Sequence, residues 1–228
     1  MITDRDIKVL RFLNEFGFAR TSVINDLFFK DRCPSVCSRR LKILFNQKLL
    51  MTSKDIRSTE NIYRISIDGI NILKNFQIDL FPFKKGFPLG TFIHDDYVQR
   101  VLLKFCFAGF KQFISEKRMK RKKIFDEHVP DLLILLSSDR HVFIEVELSY
   151  KSKKRLKEKL EEIQRYPLNE LTIYFCIDEE LENRINLVIK ENNLRPQNFL
   201  TCNLAEFLKD PQAILNRLDK PVPLKEAL

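Results

Sequence analysis

The chain has 228 residues, 44% of them hydrophobic, which is enough for one large or two small folded cores. No apolar run approaches the roughly 20 residues of a membrane span, and the opening MITDRDIKVL has no apolar signal-peptide core. The expectation is therefore a soluble, cytoplasmic protein without membrane contact. Lys and Arg number 40 against 31 Asp and Glu, a net charge of +9 that asks for an acidic partner, although charge by itself does not separate nucleic acid from an anionic surface. The five cysteines, Cys33, Cys37, Cys106, Cys176 and Cys202, are odd in number and scattered, which excludes a secreted disulfide framework. Cys33 and Cys37 lack a second ligand pair and read as packed thiols.

In chain order, TDRDIKVLRFLNEFG predicts a helix capped by Thr3 or Asp4, with Ile7, Leu10, Leu13 and Phe16 on one face and Gly17 ending it. RTSVINDLFF predicts a second, with Val23, Ile24, Leu27 and Phe28 apolar. After the turn DRCPSV, SVCSRRLKILFNQKLL predicts a third helix with Val36, Leu41, Leu44 and Phe45 inward, which leaves Ser38, Arg39, Lys42 and Arg40 outward. LLMTSKDIRSTENIYRISIDG reads as a strand, a basic tip and a return strand, and GINIL begins another helix. This order over about 70 residues resembles the winged helix-turn-helix class. The resemblance implies a third helix in the major groove of double-stranded DNA, with Arg39, Arg40 and Lys42 near phosphates or base edges and Lys54 and Arg57 on the wing. Residues 1–75 hold 14 Lys and Arg against 8 Asp and Glu, which favours nucleic acid over the bland reading of a solvated basic helix in a protein-interaction domain.

NFQIDLFPFKKGFPLG, with Pro82, Gly86, Pro88 and Gly90, reads as a packed connector. The expected organisation is a DNA-binding domain over 1–75, a connector over 76–90 and a second domain over 91–228. In that second domain TFIHDDYVQRVLLKFCFAG predicts a helix with Ile93, Val98, Leu102 and Phe105 as its stripe. FKQFISEKRMKRKKIFDEH reads as a strand carrying Glu116 and then a basic loop from Lys117 to Lys123.

VPDLLILLSSDRHVFIEVELSYK predicts a β-hairpin, two apolar runs joined by SSDRH. With a period of two, Asp131, Leu133 and Leu135 share one face, as do Glu145, Glu147 and Ser149. Ionised carboxylates on such strands are costly without a cation, a base or solvent, and a divalent metal is the sharpest candidate. KSKKRLKEKLEEIQRY then predicts a charged helix with Leu156, Leu160 and Ile163 inward. LTIYFCI is a buried strand, ELENRINLVIKEN a helix and FLTCNL a last strand.

The order helix, strand, strand, strand, helix, strand, with Pro130 and Asp131 opening the second strand and Glu145 on the third, resembles the PD-(D/E)XK nuclease-like superfamily. The expected fold class is α+β: an amino-terminal winged helix-turn-helix followed by a restriction-endonuclease-like αβββαβ domain. The resemblance implies that Asp131 and Glu145 hold Mg²⁺, with Glu116 as a further acid, and that a lysine assists the water nucleophile. The family's lysine position is occupied here by Glu147, so an amine would have to come from Lys151 or Lys153.

Together the winged helix, HDDYVQ, ISEKR, VPDLL and FIEVELSYKSKKRLKEKLEEIQRY resemble the replication-relaxation family of plasmid and mobile-element proteins, where an acid-x-acid pair matches Glu145 and Glu147. That resemblance implies a DNA-binding role in replication or mobilisation alongside proteins of a replication or transfer complex. A metal-dependent endonuclease or nickase and a non-catalytic winged-helix transcription repressor are both left open. So is a structural network in which Glu147 anchors Arg118 or Arg121. His94, His128 and His141 stand apart in sequence and read as satisfied side chains, with His94 beside Asp95 and Asp96 the one to watch.

Overall fold

The structure is a computed structural model that describes all residues except 55–57, 84–85, 126–127, 137–139, 167–170, 211–213, 218–219 and 224–228, and of 214–217 and 220–223 the backbone alone. It is an α+β protein, with two sheets among the described residues, and its chain divides into two compact units, Met1–Gln99 and Arg100–Leu228. Among the described residues no helix is long and apolar enough to cross a membrane.

In the first unit α1 (Asp4–Phe16) starts at a capping box. Thr3 accepts from the Asp6 amide, and the Asp6 carboxylate in turn accepts from the Thr3 amide. Gly17, at φ 88°, supplies the positive φ that ends the helix, and its N–H donates to Leu13 O. After β1 (Ala19–Arg20) come α2 (Thr21–Phe28), α3 (Pro34–Asn46), β2 (Leu50–Lys54), β3 (Asn61–Ile65) and α4 (Ile67–Asn75). The three strands pair antiparallel in the order β1-β3-β2. The connector is tied down within this unit, where Asn14 bonds both the amide and the carbonyl of Phe81, and Phe87 packs against Phe18 and Phe92.

On α3 the inward residues are Cys37, Leu41 and Leu44. These are spaced four and three apart on one helical face. Phe45, expected inward, falls one residue past that face and is 44% exposed.

The helix α5 (Phe92–Phe107) runs across the boundary between the units. Val98, Leu102 and Phe105 are buried as the stripe requires, whereas Ile93 is exposed. The second unit continues with β4 (Gln112–Ser115), α6 (Glu116–Lys122), β5 (Leu132–Leu135), β6 (His141–Glu147), α7 (Lys153–Arg165) and β7 (Leu171–Cys176). Then follow α8 (Glu179–Glu191), β8 (Phe199–Asn203), α9 (Leu204–Lys209), β9 (Ile214–Arg217) and β10 (Lys220–Pro223). One seven-stranded sheet results, in the order β10-β9-β8-β7-β6-β5-β4. The pairs from β4 to β6 are antiparallel, those from β6 to β8 parallel, and those from β8 to β10 antiparallel.

The hairpin β5–β6 pairs Leu132 with Ile144 and Leu133 with Phe143. On the face that carries Phe143, Leu156, Leu160 and Ile163 of α7 and Leu181, Ile185 and Val188 of α8 close the core. A second cluster joins Phe105 to Phe175 and Phe207, with centroids 6.2 and 5.8 Å away.

Residues 116–122 form a helix where the sequence suggested a strand end and a basic loop. Ser115 caps it by accepting from the Arg118 amide, and Lys120, Arg121 and Lys122 sit in the last turn, where the helix dipole favours cations. Met119, fully buried, is its anchor.

Candidate functional site

The acids of the second unit converge because two strand pairings align them. Continuing the β5–β6 register by one residue sets Asp131 across from Glu145, and the parallel pairing of β6 with β7 sets Glu145 beside Tyr174. The Asp131 carboxylate accepts from the Val146 amide at 2.8 Å, so it fastens the hairpin as well as facing the site. Glu145 and Glu147 are 3% and 4% exposed.

Their charge is met by α7 and its approach. Lys159 Nζ lies 2.9 Å from Glu145 Oε2 and 3.7 Å from Glu147 Oε2, and 5.5 Å from the centroid of the Tyr174 ring. His128 Nε2 is 2.5 Å from the other oxygen, Glu145 Oε1. Lys151 bonds Glu147 Oε2, and Ser149 Oγ donates to Glu147 Oε1 at 3.4 Å. The buried carboxylates are thus neutralised on the spot, which low-dielectric surroundings demand.

Burial pushes the Glu145 carboxyl up, but the Lys159 ammonium and His128 more than offset it and hold it down at about 2. Burial works against charge on Lys159 too, yet Glu145, Asp131 and Glu147 hold its ammonium well above the usual lysine range. Lys151 is shifted the other way, downward, by burial and by the like charge of Lys159, despite its bond to Glu147. Tyr174 is fully buried, and its hydroxyl has no hydrogen-bond partner among the described residues. Outward from this core a cleft of about 570 Å³ is lined by His128, Lys151, Arg155, Glu158, Lys159 and Arg165, with Glu161 and Glu162 on its wall.

Of the residues singled out in the sequence, Asp131, Glu145, Glu147 and Lys151 come together here. Glu116 does not join them through its side chain. It opens α6, pairs with Lys120 on the helix surface and touches the site only by its amide, which donates to Asp131 O at 3.1 Å. Lys153 pairs instead with Glu191. The amine that reaches Glu145 is Lys159, which sequence reasoning missed, as it missed His128. Lys159 lies between Leu156 and Leu160 on the flank of the apolar stripe, and that position was the only signal for it.

Carboxylate oxygens are the right donors for a hard divalent ion. Here, however, both Glu145 oxygens are engaged by His128 and Lys159, Glu147 Oε2 is engaged by Lys151, and one Asp131 oxygen is engaged by a backbone amide. Among the described residues no group of three His, Cys, Asp or Glu is placed to hold a metal. The arrangement fits internal cations and does not fit Mg²⁺.

The first unit carries the other candidate surface. Ser38, Arg39 and Lys42 are exposed on α3. A hollow of about 510 Å³ between this helix and the β2–β3 hairpin is lined by Ser38, Lys42, Phe45, Thr52 and Tyr63. Lys54 is exposed at the end of β2, opposite Asn61, and Arg57 lies outside the described residues.

Arg40 departs from its expected role at an open DNA-facing surface. Its Nε and Nη2 bind the two oxygens of buried Asp6 at 2.8 and 2.5 Å, and Nη2 also reaches Met1 O at 2.9 Å. It braces α3 against α1. Burial pushes the Asp6 carboxyl up, but hydrogen bonds from Arg40 and Thr3 outweigh it and leave the group below the usual carboxylate range.

Comparison with protein-family models, with curated proteins and with solved structures finds no match for this chain.

Proposed function

We propose that the chain is a double-stranded-DNA-binding protein in which the first unit acts as a winged helix-turn-helix and the second is a nuclease-like domain put to structural or binding use. The observation that carries this reading is α3, on which Arg39 and Lys42 are exposed and Lys42 lines the hollow beside the β2–β3 hairpin, in a segment where cations exceed acids. A rigid helix presenting Arg and Lys next to a two-stranded projection suits a groove lined with phosphates. The strand order of the second unit and the alignment of Asp131 with Glu145 are consistent with the restriction-endonuclease-like arrangement. The likeness of motifs to replication-relaxation proteins supports a role in replication or mobilisation of mobile DNA.

The binding test is the full chain with Arg39→Ala and Lys42→Ala together. Removing one cation from the phosphate backbone is expected to lower the slope of log K against log salt by about 0.9, so by about 1.8 for the pair. A folded double variant with wild-type affinity and slope would overturn the reading.

Because Glu145 and Glu147 are held by His128, Lys151 and Lys159, hydrolysis is not part of the proposal. Supercoiled plasmid incubated with Mg²⁺ or Mn²⁺ is expected to be nicked no faster by wild type than by Glu145→Gln. Nicking that wild type performs and folded Glu145→Gln does not would instead establish a metal-dependent endonuclease.

A further inference from the structure

We infer that α6 is a second nucleic-acid-binding surface, on the second unit, which contacts the phosphate backbone independently of α3; this rests on the DNA-binding reading above. Residues 100–228 hold 24 Lys and Arg against 20 Asp and Glu, and six of those cations lie within 117–123, where there is no acid. The rest of the unit therefore carries 18 against 20, and no other run of seven residues in it holds as many cations, the next, 151–157, holding five.

Folding alone does not account for that concentration. Like charges four apart, Lys117 with Arg121 and Arg118 with Lys122, each disfavour a helix by a few tenths of a kcal/mol. The dipole returns a comparable amount only in the last turn. Within the helix, Glu116 pairs with Lys120. Lys120, Arg121, Lys122 and Lys123 are all exposed. Lys123 is in the left-handed conformation, φ 50°, and closes the helix by donating to Lys120 O at 3.2 Å. This gathers the cations into one short cap on the surface, a shape suited to a polyanion.

The side-chain pattern selects which polyanion. A helix lying on a lipid surface needs an exposed apolar face, and the sole apolar residue of α6, Met119, is fully buried. What faces solvent is charge alone, which matches a phosphate backbone. The surface also adjoins the carboxylate site, since α6 begins at the amide that donates to Asp131 O.

The experiment measures binding of the full chain to duplex and single-stranded DNA over a salt series, using Arg121→Gln, Lys122→Gln and Lys123→Asn together. Asn is chosen because it tolerates the left-handed backbone. The slope on duplex is expected to fall by about 2.7, with roughly a 100-fold or greater loss of affinity near 0.1 M salt, and to fall further when Arg39→Ala and Lys42→Ala are added. A slope unchanged by the α6 substitutions but lowered by those on α3 overturns the inference and leaves the DNA-binding reading standing. A slope unchanged by either set overturns both. Binding to vesicles rich in phosphatidylserine that the α6 substitutions abolish, with DNA binding untouched, would also overturn it in favour of a membrane. If the triple variant does not fold, Lys122→Gln alone is expected to lower the slope by about 0.9, and no change there counts against the inference.

Discussion

Replacing Lys159 by Ala is expected to destabilise the second unit by about 3–4 kcal/mol, because it leaves Glu145, nearly out of contact with water, with His128 as its remaining partner and Glu147 with Lys151. Lys159 is 12% exposed and Glu145 3%, so little solvent is at hand to take over the charge. Hydrogen exchange of the β6 and β7 amides should accelerate by roughly two to three powers of ten. Adding Glu145→Gln should recover part of the loss, with a coupling of about 1–3 kcal/mol in the double-mutant cycle. Coupling near zero would mean the pair is an accident of proximity.

The pH dependence follows from the signs. A carboxyl held at about 2 stabilises the fold above its unfolded pKa, near 4.3, and that contribution is lost as pH falls towards 2. Lys159, shifted upward, stabilises below its unfolded value near 10.4, and the contribution is lost only as pH rises through the higher folded value. The Glu145–Lys159 contact is therefore expected to fail on the acid side first. Wild type whose β6 amides exchange no faster at pH 3 than at pH 6, after correction for intrinsic rates, would contradict this.

Arg40→Ala is expected to cost the first unit about 2–3 kcal/mol, a little under the range for a fully buried pair because Arg40 is 24% exposed while Asp6 is 1% exposed. Arg39→Ala, one residue away on the exposed face, should stay within about 0.5 kcal/mol. Arg40→Lys should restore only part of the stability, since an ammonium cannot bridge both Asp6 oxygens as the guanidinium fork does. Urea denaturation followed by exchange of the α1 and α3 amides separates these outcomes. Equal midpoints for Arg39→Ala and Arg40→Ala would remove the brace, whereas loss of DNA affinity by folded Arg40→Ala equal to that of Arg39→Ala would return Arg40 to the binding face.

The sequence by itself determined the local elements and the side of each that is buried. Thr3 and Asp6 flank the start of α1, Gly17 ends it, and Leu156, Leu160 and Ile163 mark the inward stripe of α7, because caps and periodicity act over a few residues. The alternation through 131–147 likewise sufficed to bring Asp131, Glu145 and Glu147 to one face, since a hairpin is closed by neighbouring chain. It did not identify the residues that answer their charge. Lys159 lies 14 positions from Glu145, in a stretch where Lys151, Lys153, Lys154, Lys157 and Lys159 look alike, and His128 lies 17 positions away on the other side. Arg39 and Arg40 are equally indistinguishable in the string SRRLK, and Asp6 across the unit decides that one is a brace while the other stays exposed. The basic run at 117–123 read as a loop because its repelling charges hide the single buried Met119 and the Ser115 cap that make it a helix. Periodicity records which face of an element meets the core. Which cation meets which carboxylate depends on the docking of elements distant in sequence, and only the tertiary structure decided it.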